Sequence, residues 1–314
     1  MPRRRKAERK TMRKINSDTA LPLMRGMMWL GVLATVATVL LRVWLTPAER
    51  DWDTGLFSAN HLVIGVMLAV LAVLFVLSCL VRRDRQEIAG RASMPTAVVL
   101  LGAGTVLVVT GVVGLIGLMQ NNSPSAAHES VLVKVLGLME TLFALLGGVA
   151  LVRMGLTLVS EGATRRGMAQ WGALAPVLWM WFRLAAYEAS YASTVRVSNS
   201  FFYFVMFILE MLFLFKLARY VTGVGKVQAG TFLFYSMGTA LFAVSAPIVR
   251  VCMYLLQDSE AYLASRQAGA ADFAVGVLAL TVGVSLVHSA AHPVQVEESE
   301  GSEASASSDE VSAE

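Results

Sequence analysis

Apolar residues along this chain are gathered into eight long runs that short polar segments separate. An α-helix needs about twenty mostly apolar residues to cross the hydrocarbon core of a bilayer. The runs are 26–45, 60–82, 95–119, 130–153, 172–193, 199–221, 231–256 and 270–289. The pattern predicts an all-α fold, a polytopic transmembrane helix bundle of about eight spans.

The Lys and Arg residues between these runs are distributed unevenly. Nineteen of the 26 lie in the segments on one side, nine of them between Arg3 and Arg25, while the other side holds only Arg50, Arg196 and Arg266. Short segments rich in Lys and Arg are retained in the cytoplasm. The asymmetry therefore predicts that both termini are cytoplasmic.

The two ends of the chain differ in charge from the apolar region between them. Residues 1–25 form a basic cytoplasmic tail, residues 26–289 the eight-span transmembrane domain, and residues 290–314 an acidic cytoplasmic tail. The last twenty residues hold seven Asp or Glu and no Lys or Arg. Such a composition cannot bury enough apolar surface to order itself, so this tail is expected to be disordered. Binding of a protein partner through the cytoplasmic tails stays an open interpretation.

The amino-acid composition is also typical of a membrane protein. The chain is 56% hydrophobic and 15% charged, with a mean hydropathy of +0.63, whereas about a quarter of an average soluble domain is charged. The formal net charge is +4, but the basic residues flank apolar runs and no folded polar domain gathers them. We expect a multi-pass cell-membrane protein whose surroundings are the lipid bilayer, with no nucleic-acid partner. Cys79 and Cys252 lie at different depths, which argues against a disulfide.

Ionisable side chains within the apolar runs are the candidate functional residues. Charges at bilayer depth cost roughly 2.5–3.5 kcal/mol each on insertion scales, so they usually face protein or water and often mark function. By helical rise, four lie near the outer surface and three near mid-membrane. The outer four are Arg42, Lys134, Glu188 and Arg250, and the deeper three are Glu140, Arg183 and Glu210.

Two interpretations of these charges stay open. In the first, they form intramembrane ion pairs that fix which helices are neighbours, and the protein has an accessory, sensory or structural role. In the second, they line an outward-facing cavity of a secondary transporter or permease. There the positive charge would hold an anionic group, and Glu140 or Glu210 would take up a proton or cation. Pro176 and Pro247, each inside an apolar run, are predicted hinges.

An intramembrane enzyme is the less favoured class. The sequence has no H-E-x-x-H, no G-x-S-x-G and no clustered histidines, so we expect no catalytic residue, no metal and no cofactor. Asp53-Thr54-Gly55 matches the aspartic-protease tripeptide, but that chemistry requires two carboxylates. A single copy between two helices is interpreted as a turn.

Span three carries a glycine pattern. Gly104, Gly111, Gly114 and Gly117 lie at spacings of seven, three and three, which keeps them near one helical face. Small residues let a neighbouring helix approach closely in the membrane. We expect this face to pack against another helix.

One short pattern suggests relatives. Arg42, late in the first span, together with Asp53-Thr54-Gly55-Leu56-Phe57 just beyond it, resembles a pattern in uncharacterised families of bacterial polytopic membrane proteins. The resemblance implies a bacterial inner membrane and supplies no activity, so the substrate is not indicated.

Overall fold

The computed structural model describes residues 2–48, 58–82, 94–120, 131–160, 171–191, 197–223, 227–257 and 269–291. This part of the chain forms eight α-helices, and a 3-10 turn, Gly172–Leu174, precedes the fifth. The helices are α1 (Pro2–Ala48), α2 (Ser58–Arg82), α3 (Met94–Gln120), α4 (Val131–Ser160), α5 (Ala175–Tyr191), α6 (Val197–Thr222), α7 (Ala229–Gln257) and α8 (Ala270–Ala291). The all-α prediction is confirmed.

Seven of these helices, all but α5, are long and apolar enough to cross a membrane. The chain is therefore a multi-pass integral membrane protein. In α1 the apolar stretch is Ala20–Trp44, and the basic segment before it continues the same helix. Helix α5 has 17 residues, at the lower limit for a membrane-spanning helix, so its crossing of the membrane stays a prediction.

Helix α7 is the centre of the bundle. In its most apolar stretch 83% of the residues are buried, against 28% in each of α1 to α4. It packs against α1, α2, α6 and α8, while α3 lies between α8 and α4, and α5 lies between α4 and α6. The outer helices meet lipid on one face, as the exposed Leu33 and Leu40 of α1 indicate.

The first and last helices run in opposite directions past α7. Met24, near the apolar start of α1, and Val287, near the end of α8, belong to one hydrophobic cluster with Val81 and Leu233. The apolar start of α1 and the end of α8 thus lie at the same end of the bundle. That this end meets the cytoplasm is the prediction made from the basic residues.

Glycines set the closest approach between α3 and α4. A Cβ atom on Gly104 would come within 2.8 Å of the Gly148 carbonyl oxygen, and one on Gly111 would meet the Leu145 side chain. Gly114 likewise faces Thr141, whereas Gly117 has no neighbour within 4 Å. The predicted glycine face is confirmed at three positions and wrong at Gly117.

The two prolines differ in position. Pro247 lies inside α7, as predicted, but Pro176 is the second residue of α5, directly after the 3-10 turn. In that turn the Ala175 N–H donates a hydrogen bond to the Gly172 carbonyl. In a regular α-helix that carbonyl would accept the N–H of residue 176, which proline lacks. Pro176 therefore belongs to the start of a helix and does not interrupt one.

Candidate functional site

Arg183, at the middle of α5, is the centre of a charged cluster. Its side chain is 10% exposed, and it donates two hydrogen bonds to Asp272 of α8, Nη1 to Oδ1 at 2.5 Å and Nη2 to Oδ2 at 2.8 Å. This two-bond arrangement matches the planar fork of a guanidinium to a carboxylate and is among the strongest polar contacts in proteins. It joins two helices that do not follow each other in the chain.

Asp272 is positioned by the start of its own helix. The Gly269 carbonyl accepts the first helical hydrogen bond, from the Phe273 N–H at 3.2 Å, so Gly269 caps α8. Asp272 stands three residues later, and its Oδ2 accepts the Gly269 N–H at 2.5 Å. This is the acidic half of a capping box, and the positive end of the helix dipole favours the carboxylate.

Two further carboxyl groups approach the same arginine. Glu140 of α4 places Oε1 at 3.8 Å from the Arg183 Nε, and its side chain is 30% exposed. Glu210 of α6 is fully buried and lies within electrostatic range of Arg183 and Asp272. Four helices thus contribute one cation and three acidic groups.

The contact between Glu210 and Asp272 is unusual in its chemistry. The two side chains lie close enough for a hydrogen bond, yet both Glu210 oxygens lack a hydrogen-bond donor among the described residues. The two observations are consistent, because two ionised carboxylates have no hydrogen-bond donor between them. A proton on Glu210 would supply the donor.

Aromatic rings line the cluster. The Arg183 guanidinium lies 4.8 Å from the centre of the Phe207 ring and 5.4 Å from that of Trp179, and both residues are buried. Phe207 in turn contacts Tyr187 and Tyr203, with ring centres 5.3 and 6.4 Å apart. Cation–π contacts of this kind stabilise a desolvated arginine by about 2 kcal/mol and leave its edge for the carboxylates.

Two further buried or partly buried arginines are Arg42 and Arg250. Arg42 of α1 is 8% exposed, and its guanidinium lies 4.3 Å from the centre of the Phe202 ring. Arg250 of α7 is partly buried and lies within electrostatic range of Tyr203, Asp272 and Arg183. Tyr203 also lies within electrostatic range of Arg42.

The structure brings together three of the seven charged residues that the sequence singles out, Glu140, Arg183 and Glu210. Arg250 lies within electrostatic range of Arg183, and Arg42 lies within electrostatic range of Tyr203. Lys134 and Glu188 are exposed and lie outside the contacts described above. The aspartic-protease tripeptide and the acidic tail fall outside the described residues.

Asp272 is the main residue that sequence reasoning misses. It is the third residue of the last apolar run, where an acidic side chain is easily assigned to the helix boundary. The aromatic partners Trp179 and Phe207 carry no such signal, because large rings are common throughout these spans.

No protein-family model, curated protein or solved structure matches this chain. The resemblance carried by Arg42 and residues 53–57 therefore stays a prediction. Among the described residues, no group of three or more His, Cys, Asp or Glu side chains is arranged to hold a metal ion. The chemistry of the site is that of its guanidinium and carboxyl groups.

Proposed function

We propose that this membrane protein is a proton-coupled secondary transporter in which Glu210 binds and releases the proton. The observation that carries the proposal is the contact between Glu210 and Asp272, two buried carboxyl groups with no donor between them when both are ionised. Like-charged carboxyl groups that share a site rarely ionise together. A proton bound to Glu210 removes the repulsion between the two carboxylates and provides a hydrogen-bond donor.

The charge balance around Arg183 supports Glu210 as the proton carrier. Asp272 already takes both ends of the guanidinium and has the Gly269 N–H as a third donor. Glu140 is partly exposed, so water can solvate it. Glu210 is in electrostatic range of Arg183 but has neither hydrogen-bond donors nor exposure to water, and a buried carboxylate without them is costly. A purely structural ion pair between Arg183 and Asp272 would not require Glu210 at all.

Proton binding at this position can change how helices pack. Glu210 is on α6 and Asp272 on α8, and these helices otherwise touch only sparsely. With a proton on Glu210 a hydrogen bond links the two helices, and without it two negative charges repel. A ligand shifts a conformational equilibrium only through such a difference between states. The carboxyl pair therefore supplies the bistable contact that a carrier requires.

The test is charge movement after a rapid pH change. Full-length protein in proteoliposomes on a solid-supported membrane should give a transient current on a pH jump, which reports proton binding. We expect Glu210→Gln to abolish the transient, since a glutamine cannot take up the proton. Glu188→Gln is the matched control, because Glu188 is an exposed glutamate on the adjacent helix.

Thermal unfolding of each variant measures whether the protein is still folded. An unchanged transient in a folded Glu210→Gln protein would contradict the proposal. The charged cluster would then be structural, and the accessory or sensory interpretation would be favoured.

A further inference from the structure

The first helix carries a strongly basic segment in front of its membrane-spanning stretch. Helix α1 runs without interruption from Pro2 to Ala48, and its apolar stretch begins at Ala20. Residues 2–19 hold eight Lys or Arg against two acidic residues, which gives a net charge of +6. At the rise of a helix, this segment continues α1 for about 27 Å beyond the apolar stretch.

The basic residues of this segment follow the helical repeat. Six of them occur at spacings of four and form two adjacent rows, which we call the basic face of α1. The rows are Arg5, Arg9, Arg13 and Lys6, Lys10, Lys14. Like charges at this spacing destabilise a helix, and the start of a helix favours anions over cations. A helix with this sequence is therefore stabilised by an anionic partner along its basic face.

The opposite charge is carried by the residues that follow α8. Residues 292–314, which lie outside the part of the chain that the structure describes, hold seven Asp or Glu and no Lys or Arg. Their net charge is −7. The acidic segment and the basic segment thus nearly neutralise each other.

The two segments start from neighbouring points on the bundle. Leu23 of α1 and Ala290 of α8 pack against the same hydrophobic cluster, and the two helices are in direct contact. The acidic segment therefore begins beside the point where the basic segment leaves the bundle. A flexible chain as long as residues 292–314 has a root-mean-square span of about 24–29 Å, which matches the length of the basic segment.

We infer that the acidic segment 292–314 binds the basic face of α1 in the same chain. Its carboxylates pair with the two rows of Lys and Arg, and the neutralised charge stabilises the helix over residues 2–19. Because both segments are attached to one bundle, each meets the other at an effective concentration of about a millimolar. Charge contacts that would be weak between separate molecules are then sufficient.

An anionic membrane surface is the alternative partner for the basic face. At 0.15 M salt the attraction between exposed charges is screened within about 8 Å. The two rows lie about 9–22 Å beyond Ala20 along the helix axis. A lipid surface at the end of the apolar stretch therefore attracts the rows less effectively than the tethered acidic segment does.

Distances between two spin labels test the inference on the purified full-length protein in detergent. The labels are attached at Ile15→Cys and Ala306→Cys after Cys79 and Cys252 have been replaced by serine. In the helical repeat Ile15 lies opposite the two rows, so its label leaves them free. We expect the mean distance to be short in about 0.01 M salt and to lengthen in about 1 M salt, where the Debye length falls from about 30 Å to about 3 Å.

Removal of charge from either segment should have the same effect as salt. Arg5→Gln, Arg9→Gln and Arg13→Gln together remove one row and should lengthen the mean distance at low salt. Replacing the seven acidic residues of 292–314 by their amides should also lengthen it. This second variant leaves the orientation of the spans intact, because Asp and Glu contribute little to membrane topology.

The segment after α2 supplies a matched control. Val81, near the end of α2, belongs to the same hydrophobic cluster as Met24 and Val287, so this segment starts at the same end of the bundle. Changing the arginines at 83, 85 and 91 to glutamine removes the same charge as the loss of one row. The mean distance in this control should equal that of the wild type.

Four outcomes would overturn the inference. The first is a mean distance that does not respond to salt, and the second is a control variant that lengthens it as much as the loss of one row. The third is loss of the short distance when the labelled protein is diluted with unlabelled protein, which would assign the acidic segment to another copy. The fourth is a short distance that is absent in detergent, together with an Ile15 label that is immobilised only in phosphatidylglycerol vesicles, which would make the partner a lipid surface.

Discussion

At the scale of single residues, Asp272 explains why a charged cluster is tolerated inside this bundle. Its carboxylate accepts two bonds from Arg183 and one from the start of its own helix. Removing one partner of a buried ion pair leaves an uncompensated charge and costs about 3–5 kcal/mol, while removing both costs far less. The pair therefore behaves as a unit.

We expect Asp272→Asn to lower the free energy of unfolding by about 3–5 kcal/mol, because Arg183 is left buried without its main counter-charge. Asparagine keeps an oxygen for the Gly269 N–H, so the change isolates the charge. Denaturant unfolding in detergent measures the loss. The double variant Arg183→Gln with Asp272→Asn should recover most of the stability, and a double variant as unstable as the single one would refute the pairing.

At the scale of elements, two pairs of helices pack with their backbones close together. Gly104 of α3 lies against α4. Gly276 of α8 lies against the α7 backbone at Ala243 and Val244, and Ser236 of α7 donates a hydrogen bond to the Ala279 carbonyl at 2.5 Å. Membrane helices have little hydrophobic drive to associate with each other, so close packing and such bonds decide which helices pair.

The glycines of α3 allow a matched test of this packing. A Cβ atom on Gly104 would lie 2.7 Å from the Val152 backbone nitrogen, whereas one on Gly117 meets nothing within 4 Å. We expect Gly104→Ala to destabilise the protein by about 1–3 kcal/mol and Gly117→Ala to be neutral or slightly stabilising. Thermal unfolding compares them. Equal melting temperatures for the two variants would contradict close packing between α3 and α4.

Pattern alone predicts where helices lie better than where they start. Pro176 and Pro247 look alike in sequence, since each sits within an apolar run. The difference comes from Gly172–Leu174, whose 3-10 turn makes Pro176 part of a helix start. A change of hydrogen-bond register over three residues leaves the hydropathy of the run unchanged, so the hydropathy pattern gives no signal for it.

At the scale of the whole molecule, the apolar runs and their flanking charges predict the bundle and part of the site. Depth along each run places Arg42 and Arg250 near one surface, and in the structure each lies within electrostatic range of Tyr203. Depth along the runs does not predict which residues pair across the bundle. That Arg183 pairs with Asp272, 89 residues away, depends on the order of helices around α7, which no local pattern encodes.

The short helix α5 decides the topology of the entire chain. If α5 crosses the membrane, the spans number eight and both termini share a face; if it does not, seven crossings place them on opposite faces. We expect reporter fusions after residue 1 and after residue 314 both to report the cytoplasm, because the basic segments alternate in that way. Reporters on opposite faces would disprove the eight-span topology.

The burial of α7 also bears on how the protein is made. Translation delivers α7 before α8, so the face of α7 that packs against α8 is covered only after α8 has been made. The same late helix brings Asp272 to Arg183. A nascent chain that stops before α8 thus holds a guanidinium lacking its main counter-ion, and an unpaired buried charge destabilises the partly assembled bundle.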